Sequence, residues 1–176
     1  MNVTRTTIEG LIIIEGFRFS DLRGELIKPF STDFLKEYNF EINLTFKEIW
    51  FTKSHKDVIR AMHLQIGEKA CEKIVSVISG AVQDVVLDLR IESETYGMWF
   101  DIELNEEKSK VLYIPKGCAH GYKVLKNNTI TMYMATETND AKNDVGILWN
   151  SFGYNWGIDN PILSEKDKVL PKFKNL

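Results

Sequence analysis

The chain has 176 residues, with 22 Lys and Arg against 25 Asp and Glu, a net charge of −3. That balance excludes an electrostatic nucleic-acid binder and leaves no polybasic face for an anionic membrane. Two cysteines, Cys71 and Cys118, exclude a disulfide-dense scaffold, and no apolar run nears the roughly 20 residues of a membrane span. With no signal-peptide pattern, repeat, linker or low-complexity tract, the expectation is a cytoplasmic protein whose residues 1–176 make one domain.

In chain order, Asp21-Leu22-Arg23-Gly24 reads as a turn. Ser31 is placed to cap a short helix running to Tyr38. Strands are predicted over residues 58–66, 73–78, 81–89, 97–104, 110–114 and 129–136, short runs rich in Val, Ile, Thr and aromatics. Ser79-Gly80 is a tight turn between two of them. Ser164 caps a second short helix that Pro171 ends. A spacing of roughly ten residues between strands predicts a mainly β fold, an antiparallel sandwich or barrel.

The most informative segment is Ile114-Pro115-Lys116-Gly117-Cys118-Ala119-His120-Gly121. Pro and Gly make a sharp turn after an apolar strand, and His120 begins the next strand. Together with Met62-His63-Leu64-Gln65 upstream, it resembles the two motifs of the cupin barrels. Metal-binding cupins carry H-x-H and then Glu in the first motif. Here Gln65 replaces the second His and Lys73 stands in the stretch of the Glu. Gln is a poor ligand and a cation repels a divalent metal, so the expectation is a barrel without metal or cofactor.

Strand alternation groups the side chains. His63 and Gln65 share one face, and Arg60 joins them only if a bulge intervenes. Lys73, Val75 and Val77 share a face, as do Thr131, Tyr133 and Ala135. A His, a Lys and a Tyr around one barrel mouth form a proton-handling set. His abstracts near neutral pH, Lys stabilises an enolate oxygen, and Tyr delivers a proton from the other side. Taken singly, each residue reads more simply. His63 is then a hydrogen-bonded structural His, Tyr133 a core aromatic, Lys73 an edge charge and Asp167 part of a capping box. Both cysteines read as inert small residues, and His55 as exposed.

The chain as a whole resembles the nucleotide-sugar 3,5-epimerase family, typified by dTDP-4-dehydrorhamnose 3,5-epimerase. The motifs run in order from Leu11 to Phe173. Residues 19–24 resemble F-x-D-x-R-G, residues 58–65 V-x-R-G-x-H-x-Q, and residues 84–90 D-x-x-x-D-L-R. Residues 93–99 resemble S-x-T-x-G-x-W, and residues 114–121 I-P-x-G-x-A-H-G. Residues 146–150 and 163–167 match the C-terminal signatures. The resemblance implies metal-free inversion at C3, C5 or both of a nucleoside-diphosphate 4-keto-6-deoxy sugar, in a homodimer without cofactor. It implies His63 as the base with Asp167 orienting it, Lys73 on the enolate oxygen with Arg60, and Tyr133 as the opposite-face acid. Gln65, His120, Asp84 and Phe19 would line the cavity and bind substrate, and Arg23 would hold the diphosphate.

The departures cluster on the substrate side. Glu48, Trp50 and Phe51 stand near positions where the rhamnose enzymes carry Gln, Asn and His. Lys28 replaces Glu, Asn139 replaces an aromatic that packs on thymine, and Ala61 and Met62 replace Gly and Leu. Glu48 has the acceptors to recognise guanine. The favoured substrate is therefore GDP-4-keto-6-deoxy-heptose of capsule biosynthesis, with the dTDP-rhamnose pathway as the alternative. A 4-keto-sugar 3,4-ketoisomerase and a sugar-binding cupin without chemistry are the further rivals.

Overall fold

The computed structural model describes residues 2–38 and 45–174. Thirteen strands and two short helices are found among them. The strands are β1 (Asn2–Arg5), β2 (Ile12–Glu15), β3 (Phe17–Asp21), β4 (Gly24–Lys28), β5 (Glu48–Ser54), β6 (Ile59–Gln65), β7 (Lys73–Ser79) and β8 (Ala81–Asp88). They continue as β9 (Trp99–Asn105), β10 (Lys110–Ile114), β11 (Cys118–Val124), β12 (Thr129–Ala135) and β13 (Asp144–Gly146). The helices are α1 (Thr32–Glu37) and α2 (Glu165–Lys168). All six predicted strands and both helices are present, with ends shifted by a residue or two.

The strands form a six-stranded sheet, β1-β2-β10-β7-β12-β5, facing a five-stranded one, β13-β6-β11-β8-β9. The hairpin β3-β4 stands apart as a third, two-stranded sheet. Every pairing within these sheets is antiparallel, which is a cupin-like barrel.

Alternation explains the layers. On β8, Val82 and Val86 point between the sheets, where they meet Val75, Val77, Leu112 and Tyr122. Val85 and Leu87 point the other way, onto Met62, Phe152 and Trp156 of the wrapping C-terminal segment. A strand buried on both faces reads as a continuous apolar run, which is why β8 was so visible in the sequence. The outer face of the six-stranded sheet is sealed by Leu35 of α1 packing on Ile12, Ile14 and Ile74.

The second acidic residue of the 84–90 motif is structural. Asp88 accepts hydrogen bonds from Arg90, Ser93 and Thr95, closing the loop between β8 and β9. Burial opposes ionisation there, but these donors hold the carboxyl well below the ordinary aspartate value. Cys118 is buried and pushed up to about 12, so it is inert at neutral pH.

Two features of β6 position the site. Between Arg60 and His63 the register slips by one residue against β11, because Tyr122 pairs with Arg60 and His120 with His63. This bulge brings Arg60 onto the same face as His63. Gly121 lies at the bulge, where a Cβ would sit 2.5 Å from that of Ala61 and 2.7 Å from the Arg60 carbonyl oxygen. Only glycine lets β11 approach β6 this closely.

Candidate active site

A cavity of about 480 Å³ opens between the two sheets. That volume suits a small-molecule site. From the five-stranded sheet and its edge it receives Arg60, His63, Gln65, His120, Tyr122 and Asp144, with Asp167 from α2. From the six-stranded sheet it receives Glu48, Trp50, Thr52, Lys73 and Tyr133. His63 therefore faces Tyr133 and Lys73 from the opposite wall.

His63 is held between two carboxylates. Its Nε2 lies 2.7 Å from Asp167 Oδ1. Its Nδ1 lies 3.6 Å from Asp144 Oδ1 and makes no hydrogen bond among the described residues. Asp144 in turn accepts from Lys166 Nζ at 2.5 Å. Burial alone pushes the imidazole down. The nearby charges of Asp144 and Asp167, with the hydrogen bond to Asp167, outweigh it and leave the pKa raised. Burial also disfavours the Asp144 charge, but His63 and Lys166 bring its pKa to about 2.

Asp167 owes its place to the helix cap. Ser164 Oγ accepts from the Asp167 backbone N–H at 3.1 Å, which is half of a capping box. The carboxylate does not return to Ser164 but reaches 104 residues back to His63. One residue thus donates its backbone N–H to the helix cap and offers its carboxylate to His63.

On the opposite wall, Ala135 pairs with Lys73, so Tyr133 and Lys73 share the cavity face. Burial pushes the Lys73 ammonium down, against the opposing charge of Asp144. A weakened ammonium is a ready proton donor to a developing oxyanion. Tyr133 is buried, and burial raises its pKa well above the ordinary tyrosine value. Trp50 stacks on its ring at 4.8 Å with planes 2° apart.

His120 stands directly opposite His63 in the sheet register. Its Nε2 lies 2.9 and 2.8 Å from the two oxygens of Asp84. Asp84 is fully buried and burial raises its pKa, opposed by His120. Because each histidine is committed to its own carboxylate, the pair does not converge on a metal. No group of three or more His, Cys, Asp or Glu placed to hold a metal ion occurs among the described residues.

Several sequence expectations are corrected here. Asp84 does not line the cavity; it reaches the site only through His120. Gln65 lines it, but its amide is committed to the loop after β12, donating to the Thr138 carbonyl and accepting from the Asp140 N–H. Glu48 and Asn139 do meet, through Glu48 Oε2 and the Asn139 backbone N–H at 2.7 Å. Arg23 and Phe19 lie outside the cavity on the β3-β4 hairpin. Arg23 is paired with Asp21 at 2.6 Å, and its side chain is 87% exposed. Phe51 points outward from β5, away from any ligand in the cavity.

The sequence alone does not mark Asp144, Lys166, Tyr122 or Thr52 as cavity residues. Tyr122 was within reach, because it follows His120 by two on one strand and so shares its face. Asp144 sits on a three-residue strand with no alternation to read.

The model of the dTDP-4-dehydrorhamnose 3,5-epimerase family matches residues 5–175. The dTDP-4-dehydrorhamnose 3,5-epimerase of Shigella flexneri is 34% identical over 175 residues, 98% of this chain and 96% of that protein. The enzyme of the same name from Methanothermobacter thermautotrophicus is 36% identical over 169 residues, 93% of this chain and 90% of that one. Among solved structures, the Legionella pneumophila enzyme in complex with dTDP-4-keto-L-rhamnose superposes with a TM-score of 0.88 at 30% identity, covering 99% of both chains. The fold, the cavity and these relatives agree, and the chain belongs to the dTDP-4-dehydrorhamnose 3,5-epimerase family of nucleotide-sugar isomerases.

Proposed function

We propose that this protein inverts C3 and C5 of a dTDP-4-keto-6-deoxy sugar in the cytoplasm. The observation that carries the reading is one imidazole between two carboxylates, facing a buried tyrosine and a lysine across a single cavity. The C4 ketone acidifies the hydrogens on C3 and C5. His63 takes the proton from one carbon, and the electron pair moves onto O4 as an enolate. Lys73, with Arg60 from the facing wall, stabilises that oxygen. Tyr133 returns a proton to the carbon from the opposite face, and the centre is inverted. Asp167 orients the imidazole and stabilises its charged form, as the carboxylate does in a catalytic triad.

The nucleotide reading changes from the one the sequence favoured. The sequence offers Glu48 to guanine, but one of its oxygens is tied to the Asn139 backbone at the rim of the cavity. The compared relatives carry dTDP in their names. Both facts favour dTDP over a GDP-heptose.

The reading includes a homodimer. Phe17, Phe19, Leu26 and Ile27 are exposed on the β3-β4 hairpin, and Ile49 and Phe51 on the edge strand β5. An uncovered apolar edge of this kind calls for a partner strand. A partner's hairpin seated there would bring the partner's Phe19 and the partner's Arg23 to the cavity that its own subunit does not give them.

The test is proton exchange in D2O. The protein is incubated separately with dTDP-4-keto-6-deoxy-glucose and GDP-4-keto-6-deoxy-heptose, and the C3 and C5 signals are followed by NMR. Exchange at both carbons of the dTDP sugar is expected. Exchange with the GDP sugar alone would overturn the nucleotide assignment, and exchange with neither would overturn the epimerase reading.

A further inference from the structure

Gln65 lines the cavity, yet its amide is engaged elsewhere. The oxygen accepts from the Asp140 backbone N–H at 2.7 Å. The nitrogen donates to the Thr138 carbonyl at 3.4 Å and lies 3.7 Å from Cys71 Sγ. The residue is buried, so losing these partners would leave backbone groups unsatisfied. An amide engaged at both ends has little left to offer a sugar.

The segment it grips is the turn 138–143, between β12 and β13. Within the turn, the Asp140 carboxylate accepts from the Lys142 backbone N–H and from Asn143 Nδ2, and the Asp140 carbonyl accepts from the Asn143 N–H. The Asn143 carbonyl accepts from the N–H of Ile66, the residue after Gln65. Gln65 and Ile66 therefore hold both legs of the turn. The next residue is Asp144, which pairs with Gln65 in the sheet register. Because β13 has only three residues, its first one is placed by the turn as much as by the ladder.

We propose that Gln65 is a positioning residue: it staples the 138–143 turn and so fixes Asp144 beside the imidazole of His63. Its place in catalysis rests on the epimerase reading. Gly146 pairs with His63 and Asp144 with Gln65, so Asp144 is the diagonal neighbour of His63 across the two strands. At 3.6 Å from Nδ1 the Asp144 carboxylate acts on the imidazole through its charge, and that action weakens with distance. A loosened turn lets Asp144 move away from His63 towards Lys166, which holds its other oxygen. The other titratable groups around His63 are Arg60, His120 and Tyr122 in its own sheet and Lys73, Tyr133, Glu48 and Glu137 across the cavity. Among the described carboxylates, only Asp144 and Asp167 pair with the imidazole.

The experiment follows the titration of the His63 ring by NMR in the ligand-free protein. Gln65→Met keeps the side-chain length and removes both bonds to the turn. Asp140→Ala loosens the same turn from outside the cavity. Each is made alone and in an Asp144→Asn background, which also controls for the charge that Asp140→Ala removes. Each single variant is expected to lower the His63 pKa by up to about one unit. In the Asp144→Asn background neither should lower it further. An unmoved titration, or an equal shift in the background that lacks the Asp144 carboxylate, would overturn the proposal. If Gln65→Met does not fold, Asp140→Ala is read by the same two criteria. In exchange assays with dTDP-4-keto-6-deoxy-glucose, the acid limb of Gln65→Met should move with the NMR value while KM changes by less than about twofold. A KM raised about tenfold with the limb in place would instead make Gln65 a sugar contact. A wild type that exchanges neither hydrogen would remove the epimerase reading, and the NMR titration would still decide the staple.

Discussion

Two histidines stand side by side in one sheet at the cavity, each paired with carboxylate, and the pairs are built differently. His120 has both Asp84 oxygens on one nitrogen and sits 5% exposed above a carboxylate that water does not reach. His63 has a carboxylate on each side, is 25% exposed, and keeps Nδ1 without a hydrogen bond. The same residue types in adjacent register positions are therefore set in different surroundings. A closed, desolvated pair fixes the inner wall. An open pair with an uncommitted nitrogen and a raised pKa can take and release protons. Residue identity alone does not separate the two; burial and the second carboxylate do.

Substitutions can break or sharpen that contrast, and the largest effect is expected on the acid opposite His63. Tyr133→Phe should cut inversion by about 10²–10⁴-fold while His63 still exchanges hydrogen with solvent. NMR exchange and product analysis on one sample separate the two, and equal loss of both would assign Tyr133 another role. Next comes the closed pair. Asp84→Ala strips the buried partner from His120 and should cost about 3 kcal/mol of stability, read from urea unfolding. Asp167→Ala, at the open pair, should cost less stability and more activity. The reverse ranking would place the catalytic pair at His120.

The smallest effect is on pH. Folded His63 has a raised pKa, and a base works only when deprotonated, so kcat/KM falls as pH drops through that value. Asp144→Asn removes one of the two carboxylates that raise it. The pKa should fall, and the acid limb of the profile should move to lower pH by up to about one unit. A limb that stays in place would mean that Asp167 alone sets the charge on His63.

Much of this was legible in the sequence where chemistry and periodicity agree. The strand carrying His63, the need for a bulge to bring in Arg60, and the Lys73 and Tyr133 faces all follow from alternation. The edge strand β5 was not legible because its pattern is inverted. Glu48, Trp50 and Thr52 point into the cavity, while Ile49 and Phe51 point out. A functional barrel places polar groups inside, so the usual inside-outside rule fails at the site itself. The β3-β4 hairpin showed its turn at Asp21–Gly24 but not its distance from the cavity, because motif order carries no spatial information. Asp144 and the hydroxyls of Tyr122 and Thr52 depend on the register of β13, β11 and β5, which only the folded sheets define.

The most direct test of the central claim sets His63→Asn beside His120→Asn. Each is incubated with dTDP-4-keto-6-deoxy-glucose in D2O, and deuterium at C3 and C5 is read by NMR. The account predicts that His63→Asn loses exchange at both carbons, by about 10²–10⁴-fold, while His120→Asn still exchanges them. Exchange that survives in His63→Asn and disappears in His120→Asn would contradict it.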